Sequence, residues 1–220
     1  MDNLKAVLFD FDGVIAHSAK VHLLSWQYVT LNVLGVNIRQ MEDYDVAGKS
    51  TIEIAKIISR FHGKETLFKD VVSEKNQYVL NNIHLVEVSP AFKGFIKLLQ
   101  KHSVQFGIAS NASRYYIEAC LNHWKLDVSN ILGYEDYNFP KPSPEPYIQL
   151  SKQLKVNKAV LGDVLILEDS EVGLRSALGS GMKVGYVKSH HEVSNIIKSK
   201  CLYQFDGLTE AYLAVQTLIG

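Results

Sequence analysis

A short apolar segment near the start of the chain, residues 6–9, runs directly into Asp10-Phe11-Asp12-Gly13. Such an uninterrupted run is typical of a strand that is buried on both faces of a parallel sheet. Side-chain alternation places Asp10 and Asp12 on the same side, where their charges repel each other. A buried acidic pair is costly unless a cation or a proton lies between the groups. For this segment alone, an acidic turn that caps the next helix is the more usual explanation, and it is the rest of the chain that favours a cation site.

The composition narrows the class of protein. The chain has 220 residues, 47% of them apolar, which is enough for a full core and a smaller second domain. The formal net charge of zero argues against a nucleic-acid partner, and no apolar run approaches the length of a membrane span. Cys120 and Cys201 have neither metal-ligand nor disulfide spacing, which is typical of reduced thiols. We expect a cytoplasmic monomer without a membrane or nucleic-acid partner.

The hydrophobic pattern changes twice along the chain. Residues 17–83 contain three amphipathic helical stretches and no strand-like run. After residue 89 short apolar runs alternate with helical stretches, which is typical of βα units and a three-layer α/β fold with a parallel sheet. We expect a core domain formed by residues 1–16 and 84–220, with residues 17–83 inserted as a helical domain. Strands are predicted at 104–109, 131–134, 164–167 and 184–187, and helices at 113–123, 145–154 and 171–178.

Two segments of the predicted core could bind an anion. Ser110-Asn111 follows the strand at 104–109 and precedes a helix, whose first N–H groups and dipole favour negative charge. For these residues alone, an ordinary helix N-cap is the more usual explanation. Lys141 lies between two prolines, which stiffen the backbone and favour a fixed ammonium group over a solvated one.

A second acidic pair, Glu168-Asp169, ends the predicted strand at 164–167. In a parallel sheet, ligands bind beyond the carboxyl ends of the strands. We therefore expect Glu168 and Asp169 to share one hard cation, Mg²⁺, with the acids that follow the first strand.

These segments resemble the four signature motifs of the haloacid dehalogenase-like hydrolases, in the family's order and with family-like spacing over the whole chain. The resemblance implies a three-layer Rossmann-like core with an inserted α-helical cap domain, as in the subgroup with β-phosphoglucomutase and many sugar-phosphate phosphatases. The segments that carry it are Asp10-Phe11-Asp12-Gly13-Val14, Ser110-Asn111, Lys141-Pro142-Ser143-Pro144 and Glu168-Asp169-Ser170.

The resemblance also implies roles for these residues. Asp10 would be the nucleophile that forms an aspartyl-phosphate, and Asp12 the general acid and base. Ser110, the backbone amide of Asn111 and Lys141 would bind the phosphoryl oxygens. The residues expected to hold Mg²⁺ are Asp10, Asp169, the backbone carbonyl of Asp12 and, directly or through another ligand, Glu168.

Substrate choice is expected to lie in the helical insert. His22 and Trp26 are one helical turn apart, as in an ordinary core stripe, but they also match subgroup positions near the substrate. Residues 48–51 resemble the subgroup's specificity loop, with Thr51 where the mutase has an arginine for the distal phosphate. The candidate substrate-binding residues of the insert are His22, Trp26, Gly48, Lys49, Ser50 and Lys75.

Three functions remain open at this point. The preferred one is a Mg²⁺-dependent phosphatase for a small phosphorylated metabolite such as a sugar, sugar-acid or polyol phosphate. A hexose-phosphate mutase is the first alternative, although Thr51 weakens it because a mutase must bind two phosphates. A phospho-accepting receiver domain also uses acids, a hydroxyl and a lysine around Mg²⁺, but it leaves the helical insert unexplained.

Overall fold

The computed structural model describes residues 4–38, 41, 44, 49–156 and 158–220. The chain divides into two compact units. Residues Met1–His17 and Glu87–Gly220 form the first, called the sheet unit here, and Ser18–Val86 form the second, called the helical unit. Within the described ranges, every helix is too short or too polar to cross a bilayer.

The strands of the sheet unit are β1 (Ala6–Phe9), β2 (Ala16–His17), β3 (Glu87–Val88), β4 (Gln105–Ala109), β5 (Ile131–Leu132), β6 (Val164–Glu168), β7 (Lys183–Val187) and β8 (Tyr203–Phe205). Six of them form one sheet with the order β5-β4-β1-β6-β7-β8, in which all neighbours are parallel. This confirms the predicted α/β, Rossmann-like class. The helices of this unit are α4 (Phe92–Lys101), α5 (Arg114–Trp124), α6 (Glu145–Gln153), α7 (Glu171–Gly179), α8 (Asn195–Lys198) and α9 (Leu208–Ile219).

Strand β1 is the centre of the core because apolar layers cover both of its faces. Phe9 packs edge to face against Phe92 and Phe95 of α4, with ring centroids 5.4 and 5.1 Å apart. Leu8, one residue earlier, belongs to the cluster on the opposite face with Tyr147 of α6. The four residues of β1 are fully buried, as the uninterrupted apolar run predicts.

Two local features differ from the sequence prediction. Strands β2 and β3 pair antiparallel, although no strand was expected next to the helical insert; two residues each are too few to leave an alternating pattern. Strand β5 stops at Leu132, and a 3₁₀ turn over Tyr134–Asp136 replaces its predicted end. The Asp136 carboxylate accepts a hydrogen bond from Gly133 N at 2.8 Å, which stabilises this turn.

The helical unit contains α1 (Ala19–Asn32), α2 (Thr51–Phe61) and α3 (Phe68–Asn81) around its own apolar core. Helix α2 begins at a capping box, in which Ser50 and Glu53 satisfy each other's backbone N–H groups. Gly35 and Gly63 have φ values of +64° and +67° just after α1 and α2, where the chain must leave the helix.

Candidate active site

The order of the sheet brings together residues that lie far apart in the sequence. Strand β1 lies between β4 and β6, so Asp10, Ser110 and the Glu168-Asp169 pair follow neighbouring strand ends. Asp10 N donates to the Leu167 carbonyl at 2.9 Å, which fixes the backbone of Asp10 beside β6. Asp10, Glu168 and Asp169 are all buried.

Lys141 lies between the two acidic segments. Its Nζ atom donates to Asp10 Oδ1 at 2.5 Å and to Glu168 Oε1 at 2.7 Å, and its side chain is 3% exposed. The residue precedes α6, and its peptide bond to Pro142 is cis. A buried ion pair of this kind joins the loop before α6 to the ends of both β1 and β6.

The charges of this cluster perturb one another. Burial, followed by the charge of Glu168, raises the pKa of Asp10 to about 8, although Lys141 acts in the opposite direction. Burial also raises the pKa of Asp169 well above its usual range, and the charge of Glu168 adds to that effect. Burial by itself would lower the pKa of Lys141, but the Asp10 and Glu168 charges more than compensate and raise it. Lys141 alone is therefore not enough to keep all three buried carboxyl groups in their charged form, and without a further cation, burial favours protonation of Asp10 and Asp169.

The acidic cluster fits a metal ion. Among the described residues, Asp10, Glu168 and Asp169 each offer a carboxylate oxygen, and these oxygens lie within 4.8 Å of one another. Asp169 Oδ2 is buried without a hydrogen-bond partner, which is costly unless a cation or a proton satisfies it. An all-oxygen donor set suits a hard divalent cation. The structure therefore supports a metal site at this edge of the sheet.

Glu168 differs from Asp169 because protein donors engage both of its carboxylate oxygens. Oε1 accepts from Lys141 Nζ and from the Tyr147 hydroxyl at 2.9 Å. Oε2 accepts from the backbone N–H of Asp169 at 2.9 Å and of Ser170 at 3.2 Å. Of the two acids, Asp169 is thus the better candidate for a direct ligand.

Two glycines leave room for these carboxylates. A Cβ at Gly13, whose φ is +88°, would lie 1.8 Å from Asp169 Oδ2. A Cβ at Gly173 would lie 1.8 Å from Glu168 Oε1. Any other residue at these positions would displace an acid of the cluster.

Asn111 joins two of the predicted segments. Its side-chain amide donates to the Lys141 carbonyl at 3.2 Å, and its Oδ1 accepts from Lys141 N at 3.0 Å. The Tyr137 hydroxyl contacts Asn111 Oδ1 at 3.0 Å and the Ser110 carbonyl at 2.6 Å. The side chain of Asn111 therefore fixes the loop of Lys141, which leaves its backbone amide as the group proposed for a phosphoryl oxygen. Ser110 itself is buried beside Asp10's strand end.

The carboxylate of Asp12 accepts a hydrogen bond from a side chain of α5. Its Oδ1 accepts from the Tyr116 hydroxyl at 3.2 Å, and Tyr116 packs edge to face against Phe11 at 5.6 Å. The expected metal contact through the backbone carbonyl of Asp12 is the one that the family resemblance implies.

The helical unit brings three of its candidate residues together. Lys75 Nζ lies 3.3 Å from His22 Nδ1 and 5.6 Å from the centroid of the Trp26 ring. Lys75 is buried, so this lysine of α3 is not the solvated surface residue that its helix would suggest. Ser50 caps α2, Lys49 precedes it, and Gly48 lies outside the described residues.

Sequence reasoning missed the tyrosines of the site. Tyr116, Tyr137 and Tyr147 each place a hydroxyl on a candidate residue. Large aromatic residues are often buried in the core, and the hydroxyl partners of these three tyrosines come from other segments of the chain. The sequence therefore carries no local signal that distinguishes these three from the other tyrosines of the chain.

Comparison with known proteins agrees with this geometry. The sequence profile of the haloacid dehalogenase-like hydrolases matches residues 7–187. A bifunctional riboflavin kinase/FMN phosphatase from Arabidopsis thaliana is 27% identical over 85% of this chain, which spans only 47% of that longer protein. A β-phosphoglucomutase from Bacillus subtilis is 25% identical, with 81% of each chain covered. The crystal structure of a predicted phosphoglycolate phosphatase from Haemophilus somnus superposes with a TM-score of 0.82 at 18% identity, covering 96% of this chain and 98% of the other.

The site and the profile match define the class: the protein is a hydrolase with a phosphatase- and phosphoglucomutase-like sequence. It belongs to the haloacid dehalogenase-like hydrolase family, as the four sequence motifs indicate.

Proposed function

We propose that the protein is a Mg²⁺-dependent phosphatase that hydrolyses a small phosphorylated metabolite through an aspartyl-phosphate on Asp10. The observation that carries this proposal is the convergence of three buried carboxylates and Lys141 at the ends of β1 and β6. Asp10 and Asp169, with the carbonyl of Asp12, would hold the ion. When bound, Mg²⁺ would reduce the repulsion between the attacking carboxylate and the anionic phosphoryl group.

The reaction would proceed in two displacements. A carboxylate oxygen of Asp10 attacks phosphorus, the bond to the leaving oxygen breaks, and Asp12 gives its proton to that oxygen. Asp12 then takes a proton from water, whose oxygen attacks phosphorus and releases phosphate from Asp10. Throughout both steps Lys141, Ser110 and the Asn111 amide stabilise the charge on the non-bridging oxygens.

The helical unit would select the substrate. Lys75, held beside His22 and Trp26, supplies a cation and an aromatic surface, which suit a small polar metabolite. Lys49, Ser50 and Gly48 remain candidates from the sequence. Both cysteines are unpaired, which fits a cytoplasmic location, and we propose that the protein acts as a monomer.

A hexose-phosphate mutase is the second candidate, because the B. subtilis relative that covers most of this chain is a β-phosphoglucomutase. Thr51 argues against a mutase, because a mutase is expected to need a second phosphate-binding cation at this position.

A phosphate-release screen separates the two candidates. Sugar, sugar-acid, polyol and nucleoside monophosphates, together with FMN, are incubated with the protein and Mg²⁺. A phosphatase releases phosphate from one class without an activator. A mutase instead isomerises a hexose phosphate only when a bisphosphate is added, and releases little phosphate. No turnover of any kind would contradict both functions.

A further inference from the structure

We propose that Tyr147 is a positioning residue that fixes the ammonium group of Lys141 for phosphoryl transfer. This inference rests on the proposed function, because it concerns the same site. It adds a residue for which neither the sequence motifs nor the family resemblance gave a role.

The contacts of Tyr147 form a closed triangle with Lys141 and Glu168. The hydroxyl accepts from Lys141 Nζ at 2.8 Å and donates to Glu168 Oε1 at 2.9 Å, while Nζ and Oε1 are 2.7 Å apart. The residue is fully buried, and its ring centroid lies 4.6 Å from Nζ. A tyrosine hydroxyl can both accept and donate a hydrogen bond, so it can join the ammonium group to the carboxylate.

The rigidity of this triangle comes from α6. Tyr147 lies in the first turn of that helix, and its ring belongs to the apolar cluster that contains Leu8 and Leu150. Lysine, by contrast, carries a compact charge on a flexible stem. Because the ring of Tyr147 is fixed by core packing, its hydroxyl can hold the ammonium group of Lys141 in one position.

The ammonium group of Lys141 needs a third contact because it forms ion pairs with two different carboxylates, those of Asp10 and Glu168. Its three N–H groups meet three acceptors: Asp10 Oδ1, Glu168 Oε1 and the Tyr147 oxygen. Without the hydroxyl, the group could shift between Asp10 and Glu168. A misplacement of about 1 Å in an active site can lower the rate by about 10²-fold.

Tyr147→Phe tests the inference, because it removes only the hydroxyl. With the best substrate of the screen, kcat should fall by about 10- to 100-fold while KM changes by less than about 3-fold, since the charge of Lys141 still binds substrate. In ¹⁵N-detected spectra of the ammonium groups, the Lys141 signal should shift or exchange faster with water. This second readout does not depend on turnover.

Two controls separate positioning from a general loss of stability. Tyr212→Phe removes a hydroxyl from α9, where the ring packs against Phe95. Val215→Ala opens a cavity in the buried face of the same helix and lowers stability. Both variants should retain the wild-type kcat and the wild-type Lys141 signal.

A double variant tests whether Tyr147 acts through Lys141. In a Lys141→Met background, Tyr147→Phe should lower the remaining kcat by less than about 2-fold, because the group it positions is gone. A further 10-fold loss would overturn the inference, as would an unchanged kcat or an unchanged Lys141 signal in the single variant. If the wild-type protein turns over no substrate in the screen, the proposed function fails instead, and that result precedes any comparison of variants.

Discussion

Among the described residues, two lysines are buried, and their surroundings differ. Lys141 of the sheet unit contacts two carboxylates and a hydroxyl within 2.8 Å. Lys75 of the helical unit contacts an imidazole nitrogen at 3.3 Å and the face of an indole. The first ammonium group is held between opposite charges, which in the proposed function would suit the phosphoryl group that all substrates share. The second lies beside an imidazole and an indole ring, which in the same proposal would suit the part of a substrate that varies.

The largest expected effect on activity is that of replacing Asp10, one of the two carboxylate partners of Lys141. Asp10→Asn should lower phosphate release by at least about 10³-fold, because the amide cannot form the acyl phosphate. The fold should remain intact, since burial already disfavours the charged form of Asp10. Steady-state kinetics and circular dichroism measure the two properties. Asp163→Asn, at the opposite end of β6, is the matched control and should be fully active. Turnover retained in Asp10→Asn would remove Asp10 from its role.

Replacing each buried lysine by methionine compares the two sites directly. Lys141→Met should lower kcat/KM by about 10²- to 10³-fold, because a charge on the phosphoryl oxygens is lost. It should also lower the free energy of unfolding by about 3–5 kcal/mol, since it leaves buried carboxylates unpaired. Urea denaturation without metal measures this loss. A Lys141→Met protein as stable as the wild type would show that the ion pairs contribute little.

Lys75→Met should produce a smaller and more selective change. For the best natural-type substrate, kcat/KM should fall by about 10-fold through KM, whereas a small aryl phosphate should be affected little. Lys69→Met, at an exposed position of the same helix, controls for the loss of a charge. Equal losses on both substrates would contradict a role for Lys75 in substrate choice.

The pH dependence of stability in the metal-free protein provides a further test. The pKa of Asp10 is raised from 3.8 to about 8, so between these values the folded state binds a proton that the unfolded state has lost. The stabilising contribution of Asp10 to folding is therefore fully present below about pH 4 and is lost as the pH rises through about 8. Burial lowers the pKa of His191. Below the usual pKa of a histidine this residue therefore makes stability rise with pH, which is the opposite direction to Asp10.

The difference between wild type and Asp10→Asn removes the contribution of His191, which is present in both proteins, and leaves that of Asp10 together with its effect on the pKa of Asp169. Urea unfolding in a chelator, at several pH values between about 5 and 8, should show a steeper decline for the wild type. Parallel pH dependences for the two proteins would show that the burial of Asp10 does not affect its proton.

Sequence reasoning predicted the parts of this protein that leave a regular or local pattern. The buried run of β1 and the alternation of strands and helices predicted the fold, and acids at two strand ends predicted a common site. The two-residue pairing of β2 with β3 was not foreseen, because it is too short to leave a periodicity. Tyr147 was missed for another reason: its hydroxyl partners come from a loop and from a distant strand end. Only packing reveals such a contact.

A chemical trap at Asp10 tests the account most directly. The wild-type protein is mixed with substrate and Mg²⁺, quenched in acid within one turnover, and reduced with borohydride, which converts an aspartyl-phosphate to homoserine. Peptide mass spectrometry should find homoserine at position 10 and unmodified aspartate at positions 12 and 169. Homoserine at position 12 or 169, or turnover without any reduced residue, would contradict Asp10 as the group that carries the phosphoryl intermediate.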